Sequence, residues 1–213
     1  MIKTRIVVAG VIALGVAGCG SVASRSVTPP SAVVARFSGH WVLDRQSSDD
    51  VHARLTPLFQ RNEERWRRNA EKFDLPPPSE HGDSDQSLSN VRWLQGERQK
   101  EIKALVTFAI PASQIDIQAS EHEMRFANNK GEGTRLLTPG EATNLFVPVG
   151  GFNVLSGWKD GTFVIESRGE GENKIHVVEN YRLSVDNKQL EERLEVHLPN
   201  ISNQVFHIVY RRE

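Results

Sequence analysis

The chain has 213 residues, 38% of them hydrophobic, with 26 basic residues against 27 acidic ones and a formal net charge of −1. That balance gives no electrostatic case for nucleic-acid binding, and the single cysteine, Cys19, excludes an internal disulfide framework. The length suits one domain, or one domain with a helical insertion, and the modest hydrophobic content suits amphipathic elements rather than a parallel sheet buried on both faces.

Lys3 and Arg5 form a short basic region, and the uncharged apolar or small residues from Ile6 to Ala17 follow it. This run fits the core of a signal peptide and falls short of the about 20 residues a spanning helix needs. Val16, Ala17 and Gly18 stand directly before Cys19. The pattern resembles the lipobox of bacterial lipoproteins, in which an apolar residue, a small residue and Gly or Ala precede Cys. The resemblance implies cleavage after Gly18, lipidation of the Cys19 sulfur and acylation of the new amino terminus. Residues 1–18 then form the signal peptide. Each buried acyl methylene adds about 0.8 kcal/mol, so several chains hold a protein firmly to a membrane. Gly20 stands where Asp would argue for the inner membrane. The expected location is the bacterial envelope, anchored in the outer membrane with the domain facing the periplasm.

Residues 19–35, rich in Ser, Pro and small side chains, read as a flexible tether. Gly20 to Ala35 reaches roughly 50 Å when extended. The folded domain is expected over 36–213. It opens on a strand in which Phe37, Gly39, Trp41 and Leu43 alternate with Ser38, His40, Val42 and Asp44, the period of a half-buried strand. A helical insertion at about 47–109 follows. Ser47 or Ser48 with Asp49 and Asp50 supplies an N-terminal cap, and Val51, Leu55, Leu58, Phe59, Trp66, Ala70 and Phe73 recur at helical spacing. Thr56-Pro57 suggests the start of a second helix, with proline in its first turn. "LPPPSEHGDSD" breaks the pattern, and a further helix is expected from about Ser87 to Phe108.

The rest of the chain alternates as antiparallel β structure. Strands are expected at Gln114–Ala119, His122–Asn128, Gly133–Thr138, Asn144–Val147, Asn153–Trp158, Thr162–Arg168, Lys174–Ser184, Gln189–Leu198 and Asn203–Arg212. Turn signals such as "TPGE", "KDG" and "VDNK" separate them. Near the end Leu190, Leu194, Val196 and Leu198 share one face, and Glu191, Arg193, Glu195 and His197 share the other. The fold class is mainly β with two or three helices between the first and second strands, as an antiparallel lipocalin-like barrel or, alternatively, another barrel or a sandwich.

Gly39-His40-Trp41 opens the first strand, and a Gly-x-Trp there resembles the lipocalins and the wider calycin group. The resemblance implies a barrel closed at one end by Trp41, with Arg211 or Arg212 from the last strand covering the indole by a cation–π contact. The segment from Ser156 to Val196 also resembles a group of bacterial envelope proteins, which implies no activity. The chain departs from the lipocalin pattern where helix and loop from Gln46 to Ile115 replace a modest connection. It also ends too soon after its last strand for the flanking C-terminal helix.

Catalytic signals are sparse. The seven histidines show no His-x-His or His-x₃-His spacing, and no metal or cofactor is expected. Glu80, His81 and Asp83 form one local cluster, read as a polar loop. No Gly-x-Ser-x-Gly occurs, and Ser38 reads as an exposed pleat residue. Glu166 and Glu179, on successive strands, read as outward-facing surface acids. Arg61, Arg65 and Arg68 form one stripe on the first helix beside Trp66, either a solvated face or a partner-binding one. The expectation is a non-enzymatic lipoprotein that binds an apolar or amphipathic small molecule, such as a lipid, in its barrel. The alternative is a solid barrel whose helical insertion docks onto an envelope protein.

Overall fold

The computed structural model describes residues 29–72, 100–129, 134–171, 174–199 and 201–213. The expected signal segment, Gly18, Cys19 and the Glu80-His81-Asp83 cluster lie outside them. Among the described residues, helical structure precedes the expected boundary at 36. Helix α1 (Ser31–Val34) and a 3-10 turn (Ala35–Phe37) cover one end of the domain, with Val34 and Phe37 buried. Burial of Val34 draws residues 31–35, expected as the end of the tether, onto the core.

Strand β1 (Gly39–Leu43) is followed by α2 (Val51–Lys72) and by α3, helical over 100–109. The loop before α2 is tied to the last strand. Ser48 Oγ donates to Asp44 O (2.7 Å) and accepts from Val209 N (2.9 Å), and Asp49 Oδ2 accepts from His207 N at 2.9 Å. Asp50 caps the helix by accepting from Ala53 N at 2.9 Å. Pro57 does not start a new helix, because α2 runs through it for 22 residues. Proline removes one hydrogen bond, but Val51 and Leu55 are buried, and Leu58 and Phe59 pack on the same core from beyond the proline.

Among the described residues nine more strands follow: β2 (Gln114–Ala119), β3 (Met124–Asn128), β4 (Thr134–Leu137), β5 (Ala142–Val147), β6 (Gly150–Lys159), β7 (Thr162–Gly169), β8 (His176–Leu183), β9 (Gln189–His197) and β10 (Gln204–Arg212). All pairings are antiparallel, in the order β4-β3-β2-β1-β10-β9-β8-β7-β6-β5. The expected hairpin signals are used directly. Asp160 (φ +49°) and Gly161 (φ +75°) make the two-residue turn between Lys159 and Thr162, where both positions need positive φ.

The sheet curls into a barrel. Arg135 on β4 bonds Glu179 on β8 at 2.8 Å, six places away in the order. Six steps of ~4.8 Å would span roughly 29 Å in a flat sheet. The ends of the order, β4 and β5, do not pair, so the wall is an antiparallel barrel with one seam left open. Loop 138–141 crosses to β6, where Gly140 N donates to Ser156 O at 2.8 Å.

The inward faces follow from register. Trp41 stands opposite Arg212 and Ile115, Ile165 opposite Glu179, and Ile208 opposite Glu192. Phe37, Trp158 and Phe163 fill one end, with edge-on ring contacts of 5.0 Å from Trp158 to each of the others. Ala104, Leu105 and Ala109 of α3 are buried, and Phe108 meets Phe152 edge-on at 5.1 Å.

Candidate functional site

Interior alternation places a chamber of about 290 Å³ between α3 and the sheet. Its apolar side comes from Phe108, Ile110 and Pro111 at the end of α3 and from Leu145, Phe146 and Val147 at the β5–β6 turn. Phe146 lines the chamber and is also 77% exposed, which sets the rim there. Polar groups from four strands also line it, Arg135 (β4), Glu179 and Tyr181 (β8), Glu192 (β9) and Tyr210 (β10), with Ile115 (β2) and Ile208 (β10) among them.

These polar groups engage each other. Arg135 Nη1 and Nη2 donate to Glu179 Oε2 and Oε1 at 2.8 and 2.9 Å, a bidentate pair. The guanidinium also lies 5.6 Å from the centroid of Phe126. Tyr181 donates its hydroxyl to Glu179 Oε1 at 3.0 Å, and Tyr210 points its own at Glu192 Oε2 at 3.5 Å. Burial opposes the charged form of Arg135, but Glu179 beside it holds the proton, and the net shift is upward. Burial raises both tyrosines well above 10, with Glu179 and Glu192 adding to the shift. Phe126 stacks near Phe163 at 6.0 Å and meets Tyr181 at 5.1 Å, which joins the chamber wall to the aromatic end.

The end of the barrel expected from Gly39, Trp41 and the C-terminal arginines is assembled as a separate unit. The guanidinium carbon of Arg212 lies 4.3 Å from the centroid of the Trp41 ring. Trp41 is fully buried and donates Nε1–H to Phe37 O at 3.0 Å. Arg212 donates to Ser38 O at 2.8 Å and also to Arg36 O. A Cβ on Gly39 would stand 2.8 Å from Arg212 Nη1, so a side chain there would push the guanidinium aside, and the backbone φ of +154° itself favours glycine. Arg211 is placed elsewhere, 2.6 Å from Asp44 Oδ2.

Several other readings change. Glu179 is not an outward surface acid, because its register opposite Ile165 turns it into the chamber. Glu166 is on the outer face but buried, held by Arg168 and by His176 Nε2 at 2.8 Å. It does not face Glu179. Ser38 is only half-exposed and accepts from Ala119 N at 2.9 Å. Arg61 and Arg68 are exposed on α2, and the side chains of Arg65 and Trp66 lie outside the described residues. Among the described residues no cluster of three metal-ligating side chains occurs, and no helix is long and apolar enough to cross a membrane.

Arg135, Glu192, Tyr181 and Tyr210 were not singled out from the sequence. The signal for Glu192 was present, because it falls in the apolar phase of β9 between Leu190 and Leu194.

Fold and interior together define an open-seamed, ten-stranded antiparallel barrel with an internal chamber and helices between its first and second strands. No protein-family model matches the chain, and no curated protein does. Among solved structures, apo lipid binding protein 8 from Caenorhabditis elegans is similar at 14% identity and a TM-score of 0.47, covering 84% of this chain and 96% of that one. A point mutant of the fluorescent protein UnaG is similar at 13% identity and a TM-score of 0.35, covering 47% of this chain and 70% of that one.

Proposed function

We propose that the protein is an envelope lipoprotein that holds a small apolar or amphipathic molecule, such as a lipid, in the chamber of its barrel. The observation that carries this reading is the chamber itself. Its volume of about 290 Å³ stands near the lower end of ligand-pocket sizes. It has apolar walls at the rim and a few converging polar groups inside, the arrangement that orients a molecule with one polar end. The alternative, an interaction module, rested on a solid barrel, and the chamber runs against it.

The anchoring part of the reading rests on Val16-Ala17-Gly18 before Cys19. On this reading Cys19 carries the lipid, the outer membrane holds the anchor, and the barrel faces the periplasm with no reaction to perform.

Two measurements test it. A neutral fluorescent probe, N-phenylnaphthylamine, is expected to brighten on binding and to be excluded by Ala112→Phe, which fills the chamber from a buried wall position. Equal brightening by the variant argues against the chamber. Radiolabelled palmitate is expected to label the wild type and not Cys19→Ser; equal labelling of both removes the anchor.

A further inference from the structure

The chamber has a built floor. From its wall a row of rings runs down to the Trp41 end of the barrel. Tyr181 meets Phe126 at 5.1 Å, Phe126 stacks near Phe163 at 6.0 Å, and Trp158 meets both Phe163 and Phe37 at 5.0 Å. All five side chains are buried. Above them the Arg135–Glu179 pair crosses the interior at 2.8 and 2.9 Å. Toward β6 the space ends where Phe108 meets Phe152 at 5.1 Å. Among the described lining residues the exposed ones are Phe146 and Pro148, at the β5–β6 turn. A ligand that went deeper would have to part a buried ion pair or wedge apart close-packed rings, and both are costly.

Volume then sets the size of what fits. An apolar cavity of about 150 Å³ holds one benzene ring. At the same filling, the chamber of about 290 Å³ takes about a dozen non-hydrogen atoms. A membrane phospholipid, with two acyl chains that each cross half of a hydrocarbon core of about 30 Å, is several times too large.

Resting on the reading of the chamber as an amphiphile site, we infer that its ligand is a single-chain amphiphile of medium length, with about ten to twelve carbons inside and anything longer passing out beside Phe146. The chamber acts as a ruler, because a methylene inside is removed from water and one beyond the mouth is not.

The test is displacement of bound N-phenylnaphthylamine, whose naphthyl group fits the chamber and whose phenyl group is left at the mouth. The full chain carries Cys19→Ser so that no acyl chain of its own competes. The competitors are straight-chain primary alcohols from hexanol to hexadecanol, each kept below its solubility limit, so that length varies and the uncharged head does not. The displacing concentration is expected to fall about fourfold per added methylene up to about ten to twelve carbons, and then to level off. Phe108→Ala, which removes a ring from the wall, is expected to move that break to chains several carbons longer. A fall that continues unbroken to hexadecanol in the wild type overturns the inference while leaving an amphiphile site in place. A break at octanol or below overturns it as well, and so does a break that stays put in a folded Phe108→Ala protein. Failure of the probe to bind, or of every alcohol to displace it, overturns the chamber reading itself. The wild-type series decides even where the variant does not fold.

Discussion

Arg135 and Glu179 form a two-pronged ion pair at 2.8 and 2.9 Å across the inside of the barrel, between strands six places apart in the sheet. The pair acts as a strut between the open-edge strand β4 and the far wall, and it also sets the polarity of the chamber.

Removing one partner leaves the other charge buried. Glu179→Ala is expected to destabilise the fold by about 3–5 kcal/mol. The double change Arg135→Met with Glu179→Leu should recover most of that loss, since an apolar pair has no charge to desolvate. Urea unfolding of the two variants and the wild type checks both signs. A double variant no more stable than the single one would show that the strut, and not the lone charge, dominates.

The Trp41 end makes a separate prediction. Arg212→Ala is expected to cost about 1–2 kcal/mol through the lost cation–π contact. It also uncovers an indole that is now fully buried, so part of the tryptophan emission should shift to the red. Gly39→Ala should be destabilising too, because its backbone has φ +154° and its new Cβ meets the Arg212 guanidinium at 2.8 Å. Thermal unfolding with emission as the readout tests both.

The chain contains two tyrosines, and both line the chamber. Burial raises both well above 10, so the native protein should show no tyrosinate absorbance at alkaline pH values where the urea-unfolded chain is already ionised. The sign for stability follows. The unfolded chain loses tyrosine protons first, so stability falls as pH rises through the unfolded value near 10. Coincident titration in both states would place the hydroxyls in water.

His40 predicts a second pH dependence, of milder origin. Its Nδ1 lies 2.6 Å from Asp116 across the β1–β2 pair, and this hydrogen bond raises the imidazole above 6.5. A raised folded value means that the protonated ring favours the fold. That contribution is complete below 6.5 and is lost as pH rises through the folded value. Asp116→Asn should bring the His40 titration, followed by NMR, back toward 6.5 and flatten the pH dependence of unfolding in that window.

Strand existence was legible in the sequence because alternation is local. Each of the ten strands overlaps an expected one, with period two plain in β1 and β9, and turn chemistry such as Asp160-Gly161 marked where the chain reverses. The period of α2 was equally plain, although a proline rule read at Pro57 alone cut it in two. Packing of Leu55, Leu58 and Phe59 on one core runs across that position. The covered tryptophan entered through a resemblance carried by three residues. Which of Arg211 and Arg212 covers the ring was left open there, and strand register placed Arg212 over Trp41 and Arg211 against Asp44.

By itself the sequence determined the alternation, the turns and the Gly-x-Trp opening, and it placed Cys19 after a lipobox-like pattern. Tertiary structure alone decided that Glu179 turns inward to meet Arg135, that Glu192 and the two tyrosines join them, and that a chamber is left beside α3. Alternation gives each strand two faces, but it does not say which distant strand a face will meet. The curl of the sheet does that, by bringing β4 against β8 across a distance no local pattern encodes.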